Sequence, residues 1–393
     1  MNNFNFYAPT KIVFGKDTEQ KVGELVKAQK ANKVLIHYGG ASAVKSGLLE
    51  RVVNSLKEAG IEYVLLGGVI PNPRLSLVYE GIELCRKEKV DFILAVGGGS
   101  VIDSAKGIAW GVPFDGDVWE LYEKKQEASD ALPLGCILTI AAAGSEMSGG
   151  SVLTKDEGGL KRDYCNDNIR SKFSIMNPEL TLTLPPYQTA AGCVDILMHT
   201  LERYFVSGST LETTKSIAEA IMRTVITNTK ILHHDPMNYD ARAEIMWCSS
   251  LSHNDLTGCG NLSNDFASHM LEHEISGLFD VTHGAGLAVV WPSWARYVYQ
   301  DCLDTFVRFA IEVMGIENTG DKETMALQGI DALEAFFTSI DMPVTMTQMN
   351  LEVSEKQVRY MANSCSQAAG GNCIGSAKSL DLEDMYQILK DAV

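Results

Sequence analysis

Asp195, His199, His269 and His283 have the residue types and spacings of one metal-binding cage. Asp195-Ile-Leu-Met-His199 separates a carboxylate from an imidazole by four positions, which on a helix leaves them about 40° apart around the axis. His269-Met-Leu-Glu-His273 repeats the spacing and stacks two more imidazoles on one helical face. Gly277 and Asp280 break that pattern, so His283, in Thr282-His283-Gly284, is expected from a turn or from the start of the next helix. One carboxylate with three imidazoles suits a borderline divalent ion, Fe²⁺ or Zn²⁺, and requires no thiolate. Glu202 lies one turn beyond His199 on the same stripe, a position from which a carboxylate can orient a ligand.

A second stretch offers phosphate chemistry. Gly97-Gly98-Gly99-Ser100-Val-Ile-Asp103-Ser-Ala-Lys106 follows the apolar run Asp91-Phe-Ile-Leu-Ala-Val96. Three glycines let a backbone approach a pyrophosphate without a Cβ in the way. The following helix presents free amides and its positive dipole end to the anion. The spacing differs from GxGxxG, and Ser100 and Asp103 also fit a capping box.

These stretches need a scaffold, and the chain alternates strand and helix patterns to supply one. Strands are expected at 11–14, 33–38, 61–66, 91–96 and 134–141, with helices at 18–29, 47–59 and 75–88 between the first four. That order predicts a Rossmann-like parallel sheet with helices on both faces and ligands at the carboxyl ends of the strands. From 144 to 172 the sequence is polar and reads as a hairpin or loops. Pro185-Pro186 then interrupts any helix or central strand, which sets a boundary between residues 1–184 and residues 185–393. Beyond it lie helical patterns near 187–206, 211–231, 238–257, 263–277, 284–298, 300–314, 322–340 and 354–366. The expected architecture is an α/β dinucleotide-binding domain followed by an all-helical metal-binding domain, with the active site in the cleft between them.

Composition narrows the class. A length of 393 residues favours two domains, and 46% hydrophobic with 21% charged residues is that of a soluble globular protein. A net charge of −17 argues against nucleic acid or an anionic membrane as partner. Nine scattered cysteines without a CxxC suggest reduced thiols in a cytoplasmic protein. The N-terminus lacks an export signal, and the most apolar stretch, 132–143, is too short to span a bilayer.

Taken together, the motifs resemble the iron-containing (group III) alcohol dehydrogenase family, and within it the NADPH-dependent butanol dehydrogenase-like aldehyde reductases. The likeness runs through Pro71-Asn-Pro73, Gly97–Asp103, Gly144-Ser-Glu146, Thr183-Leu-Pro-Pro186, Asp195–Glu202, Asn238-Tyr-Asp-Ala-Arg242 and His269–Gly284, and covers nearly the whole chain. It implies that Asp195, His199, His269 and His283 are the metal ligands, and that His273 is an active-site histidine near metal and nicotinamide rather than a ligand. It places Gly97, Gly98, Gly99, Ser100 and Asp103 in the dinucleotide motif. Thr139, Lys161, Asn72 and Leu180 align with further cofactor positions. Two departures stand out: Ala143 where relatives often carry Thr, and Asn177 where an Asp usually precedes Pro.

Relatives that use NAD resemble one another in an acid after the second strand, which would repel a 2′-phosphate. Here the stretch is His37-Tyr38-Gly39-Gly40-Ala41-Ser42, without an acid and with Lys45 nearby. Gly39, Gly40 and Ser42 therefore leave room and donors for the phosphate, and NADP(H) is expected, with NAD(H) as the other possibility. The resemblance implies hydride transfer between NADP(H) and a primary alcohol/aldehyde pair of the butanol/butanal type, favouring aldehyde reduction, in a homodimer. A metal-dependent lyase related to dehydroquinate synthase is one alternative, although its cluster of basic substrate ligands is not found here. A non-catalytic nucleotide- or metal-binding protein is the other.

Overall fold

A computed structural model of the chain describes residues 2–208 and 211–393. It divides into two compact units, Ala8–Leu184, and Pro185–Val393 together with Met1–Tyr7.

The first unit is built on six parallel strands in the order β1-β8-β5-β4-β2-β3. The strands are β1 (Lys11–Phe14), β2 (Lys33–Tyr38), β3 (Glu62–Leu66), β4 (Phe92–Gly97), β5 (Leu134–Leu138) and β8 (Phe173–Met176), while β6 (Gly150–Lys155) and β7 (Leu160–Cys165) form a separate antiparallel hairpin. Helices α1 (Val22–Ala28), α2 (Ala41–Lys45), α3 (Leu48–Glu58), α4 (Leu75–Glu88), α5 (Gly99–Gly111) and α6 (Trp119–Tyr122) accompany them. Val34, Ile36, Phe92, Leu94 and Val96 of the sheet pack on Val22, Val26, Val52 and Leu56 of α1 and α3. Every residue of β4 is buried, as a strand covered on both faces requires.

Three sequence expectations change. The strand expected to reach Ala141 ends at Leu138, because its partner β4 ends at Gly97 and offers no further ladder. Phe173–Met176, not anticipated as a strand, joins β1 to β5; its four residues are all buried, so it shows no alternation to read. The capping box at Ser100 and Asp103 is not formed: the cap position is Gly98, and both residues lie inside α5. The Asn177 departure keeps its local role. Its Oδ1 accepts the Glu179 amide at 3.0 Å, as an Asp would, and its Nδ2 donates to Glu19 at 3.0 Å, which an Asp could not.

The second unit consists largely of helices: α7 (Pro186–Tyr204), α8 (Glu212–His234), α9 (Tyr239–His253), α10 (Ala267–Phe279), α11 (His283–Val298), α12 (Leu303–Glu312), α13 (Lys322–Ser339), α14 (Glu355–Ala368) and α15 (Leu382–Asp391). Pro186 starts α7, where its missing N–H has no intrahelical partner to lose. Every residue of α7 from Thr189 onward is buried, so polar side chains on it must find partners inside the unit. The last helix, α15, lies beyond the helical patterns expected from the sequence, and Asp381 and Asp384 form a true capping box at its start.

Candidate metal centre and cofactor turn

Asp195 and His199 share one face of α7, and α10 and α11 bring His269 and His283 to them. Gly284 makes the approach possible, since a Cβ there would collide with the Ala191 carbonyl of α7. His269 Nε2 lies 3.6 Å and His283 Nε2 3.8 Å from Asp195 Oδ1. Two N/O ligands at ordinary bond lengths on a tetrahedral ion stand about 3.4 Å apart, close to these two separations. Ligand atoms of Asp195, His199 and His269 lie within 4.8 Å of one another, and those of His283 form an adjoining group with Glu272 and His273.

Each imidazole has its other nitrogen occupied. His199 Nδ1 is 3.0 Å from the Asp195 carbonyl oxygen, which can only accept, so that nitrogen carries the proton. His269 Nδ1 bonds Glu202 Oε2, and Glu202 Oε1 accepts the His269 amide at 3.0 Å. His283 Nδ1 bonds Glu272 Oε2. Carboxylates placed this way fix the tautomer and strengthen the free nitrogen as a ligand. Asp195 Oδ1 is also 3.1 Å from His199 Nδ1, but that N–H is directed at the carbonyl. Asp195 Oδ1 and His269 Nε2 are thus buried without a hydrogen bond. A divalent ion would satisfy both, and the donor set of one carboxylate and three imidazoles fits Fe²⁺ or Zn²⁺.

Burial would push the Asp195 carboxyl up, but the surrounding imidazoles, His199 foremost, hold it well below the usual range. Burial pushes His199 down to about 4. Burial acts on His269 in the same direction, yet the Glu202 and Asp195 carboxylates raise it to about 9.

Glu202 was singled out in the sequence; Glu272 was not, being eleven residues from the histidine it holds. Its signal was Gly286, where a Cβ would come within 2.9 Å of the Glu272 side chain. His273 lies one turn beyond His269, with ring centroids 6.5 Å apart and 5.8 Å from that of His283. Two further rings close on the histidines. His253 of α9 packs on His199 with centroids 3.9 Å apart, and Phe266 lies 5.6 Å from His269. Phe266 sits in left-handed backbone at φ 53°, an unfavourable state for a bulky side chain, just before α10.

In the α/β unit the register aligns His37 with Ala95 and Gly97 with Leu138. The carboxyl ends of β2, β4 and β5 therefore carry Gly39 and Gly40, Gly97–Ser100, and Thr139 to one end of the sheet, with the Thr139 amide donating to Gly97 O at 3.1 Å. Strand order reverses between β2 and β4, the position where such sheets bind ligands. The amides of Gly99 and Ser100 open α5 and have no carbonyl within the helix to pair with. Ser42 and Lys45 are exposed on α2. Asn72, at φ 52°, and Lys161 belong to another group: the Thr154 amide, opposite Lys161 in the hairpin, donates to Pro73 O at 2.8 Å. Leu180 packs against the core between sheet and α1. Asp103 points into the fold, accepting Ser145 Oγ at 2.6 Å and the Val152 amide at 3.1 Å.

An α/β unit of nucleotide-binding type followed by a helical unit with buried imidazoles defines the class: a two-unit protein with a dinucleotide-type turn and a candidate metal centre. Residues 9–178 match the family described as iron-containing alcohol dehydrogenase, and residues 189–393 match the Fe-containing alcohol dehydrogenase family, C-terminal. The chain belongs to the iron-containing alcohol dehydrogenase family and is an oxidoreductase. It is 39% identical over 391 residues to NADH-dependent butanol dehydrogenase A of Clostridium acetobutylicum, covering 99% of both chains. It is 35% identical over 361 residues to the NADPH-dependent aldehyde reductase YqhD of Escherichia coli, covering 90% of this chain and 91% of that one. The crystal structure of NADH-dependent butanol dehydrogenase A from Thermotoga maritima superposes with a TM-score of 0.96 at 39% identity, over 100% of this chain and 99% of the other. Among the described residues, no helix is long and apolar enough to cross a membrane, and the nine cysteines are free thiols.

Proposed function

We propose that the protein transfers hydride between NADP(H) and a short-chain primary alcohol/aldehyde pair of the butanol/butanal type, favouring aldehyde reduction. One divalent ion, Fe²⁺ or Zn²⁺, is held by Asp195, His199, His269 and His283. The observation that carries this reading is the pairing of buried Asp195 Oδ1 with His269 Nε2, both lacking hydrogen bonds, 3.6 Å apart. When bound, the ion supplies Lewis acidity to the substrate oxygen and the dinucleotide supplies the hydride.

The chain's own groups do the rest. Glu202 and Glu272 keep His269 and His283 in one tautomer and orientation. His273 moves a proton at an imidazole nitrogen as alkoxide and alcohol interconvert. The first-turn amides of Gly99 and Ser100, with the dipole of α5, hold the pyrophosphate. Thr139 borders that turn, while Asn72, Lys161 and Leu180 are assigned to the remainder of the dinucleotide on the family resemblance. Asp103 acts by shaping the turn, since both carboxylate oxygens are engaged within the fold.

Preference for NADP(H) rests on the stretch after β2, where Gly39, Gly40 and exposed Ser42 and Lys45 offer no carboxylate to repel a 2′-phosphate. The relatives' names point both ways, NADH for the butanol dehydrogenases and NADPH for YqhD. A single 2′-phosphate contact of charged type is worth roughly tenfold or more. We expect kcat/KM with butanal to favour NADPH by at least that factor; a preference for NADH overturns the cofactor assignment. A homodimer is also proposed, supported by exposed Phe4, Phe6 and Tyr7 and by β1 at an outer edge of the sheet. A monomeric mass by light scattering contradicts it.

A further inference from the structure

Lys106, the last residue of the motif that begins at Gly97, is fully buried in α5. Among the described residues its ammonium makes no direct ion pair. Its three N–H groups are shared among five oxygens instead: Ser145 O at 2.8 Å, Ser145 Oγ at 2.9 Å, Ser148 O at 3.0 Å, Ser148 Oγ at 3.3 Å and Gly150 O at 2.6 Å. Three of these are carbonyls, which only accept. A neutral amine would turn its lone pair toward at least one of them, so the geometry calls for the cation even though burial lowers the Lys106 pKa. The balancing charge is Asp103, one bridge away, whose Oδ1 accepts from the same Ser145 hydroxyl at 2.6 Å.

Five neutral oxygens at 2.6–3.3 Å around one buried positive centre make the coordination shell of a large monovalent cation. Calcium and magnesium take shorter contacts and prefer carboxylates. Carbonyl cages of this kind replace the hydration shell of potassium elsewhere in proteins. The wrapped segment, 144–150, is the direct continuation of 139–143, which packs on the glycine turn. A Cβ on Gly98 would come within 2.9 Å of Ile140, and one on Gly99 within 3.1 Å of Ala143. The shape of the turn and the wrapping of the cage are thus mechanically joined.

We propose that Lys106 is a positioning residue for dinucleotide binding. Its ammonium acts as a covalently tethered monovalent cation around which the 144–150 segment folds, and this holds the 139–143 stretch against the Gly97–Gly99 turn. The inference rests on that turn being the seat of the dinucleotide.

The test titrates NADPH and NADH fluorescence with the wild-type chain, Lys106→Ala and Lys106→Met. Each is measured in excess ethylammonium or potassium, with tetramethylammonium at equal ionic strength as control. Amide exchange of 144–150 and metal content are followed in the same samples. Loss of hydrogen bonds to a charged group predicts roughly ten- to hundredfold weaker cofactor binding in both variants. Metal content stays unchanged, and kcat at saturating cofactor falls far less than kcat/KM. Ethylammonium and potassium restore binding and amide protection in Lys106→Ala, but not in Lys106→Met, whose side chain fills the space. Unchanged affinity, or a deficit that neither small cation repairs, overturns the proposal. So does a Lys106→Ala chain that is not recovered folded even with ethylammonium present. Wild type that binds neither dinucleotide refutes the seat at the turn, while the exchange data still decide whether a cation organises the cage.

Discussion

Two buried polar clusters, one in each unit, handle charge in opposite ways. Around Lys106, one cation meets five acceptors, and the nearby carboxylate of Asp103 is taken up by a hydroxyl and an amide. Around Asp195, the outer nitrogens of three imidazoles are anchored while Asp195 Oδ1 and His269 Nε2 converge without a hydrogen bond. A fully satisfied cluster serves the fold, because leaving any member out strands the others at a cost of about 1–3 kcal/mol each. A cluster with its outer side satisfied and its inner side not is built to receive something. The contrast separates a structural charge from a ligand site more sharply than residue type does, since both clusters are rich in polar side chains.

Three changes would break or sharpen that contrast. The largest effect is expected from His273→Ala, which removes a proton-transferring group and lowers kcat by roughly 10²-fold or more while the metal stays bound. Loss of metal in that variant, read by elemental analysis, would place His273 among the ligands instead. Next comes Glu272→Gln. It keeps the shape but withdraws the negative charge behind His283, and metal affinity should fall roughly 10- to 100-fold in a competition titration with a chelator. An unchanged affinity would mean that the anchoring of the outer nitrogens is incidental. The third concerns stability rather than activity and lies in the α/β unit. His37 is buried, its Nδ1–H donating to Leu66 O at 2.9 Å and its Nε2 facing Ser104 Oγ at 2.8 Å, and burial pushes it down to about 4 from 6.5. Because the unfolded chain takes up that proton first, its contribution is complete above pH 6.5 and is lost as pH falls toward 4. That amounts to about 3 kcal/mol in all. Urea midpoints measured across that range should show the decline, and His37→Leu, weaker at neutral pH, should flatten it.

Local spacing made part of this molecule legible in advance. Asp195 and His199 could be paired because both lie on one helix, and the glycine turn could be placed because a buried apolar run precedes it. Glu272 could not, since its partner arrives from the next helix and the fit depends on Gly286. Lys106 closes the glycine motif without any sign of its role there; its burial follows from a segment some forty positions away that folds over it. Phe173–Met176 carried no alternation because both of its faces are covered, and Leu382–Asp391 was passed over although its capping residues were in view. The tendency is physical: contacts within a helix or at its ends leave a period or a cap in the sequence. Contacts between elements leave at most a glycine where something must fit.

An ion held by Asp195 and three imidazoles is tested most directly by elemental analysis of the purified wild type and His269→Ala alongside butanal reduction. One divalent ion per wild-type chain is expected, and neither ion nor activity in the variant. Full turnover by a wild-type chain stripped of metal would contradict it.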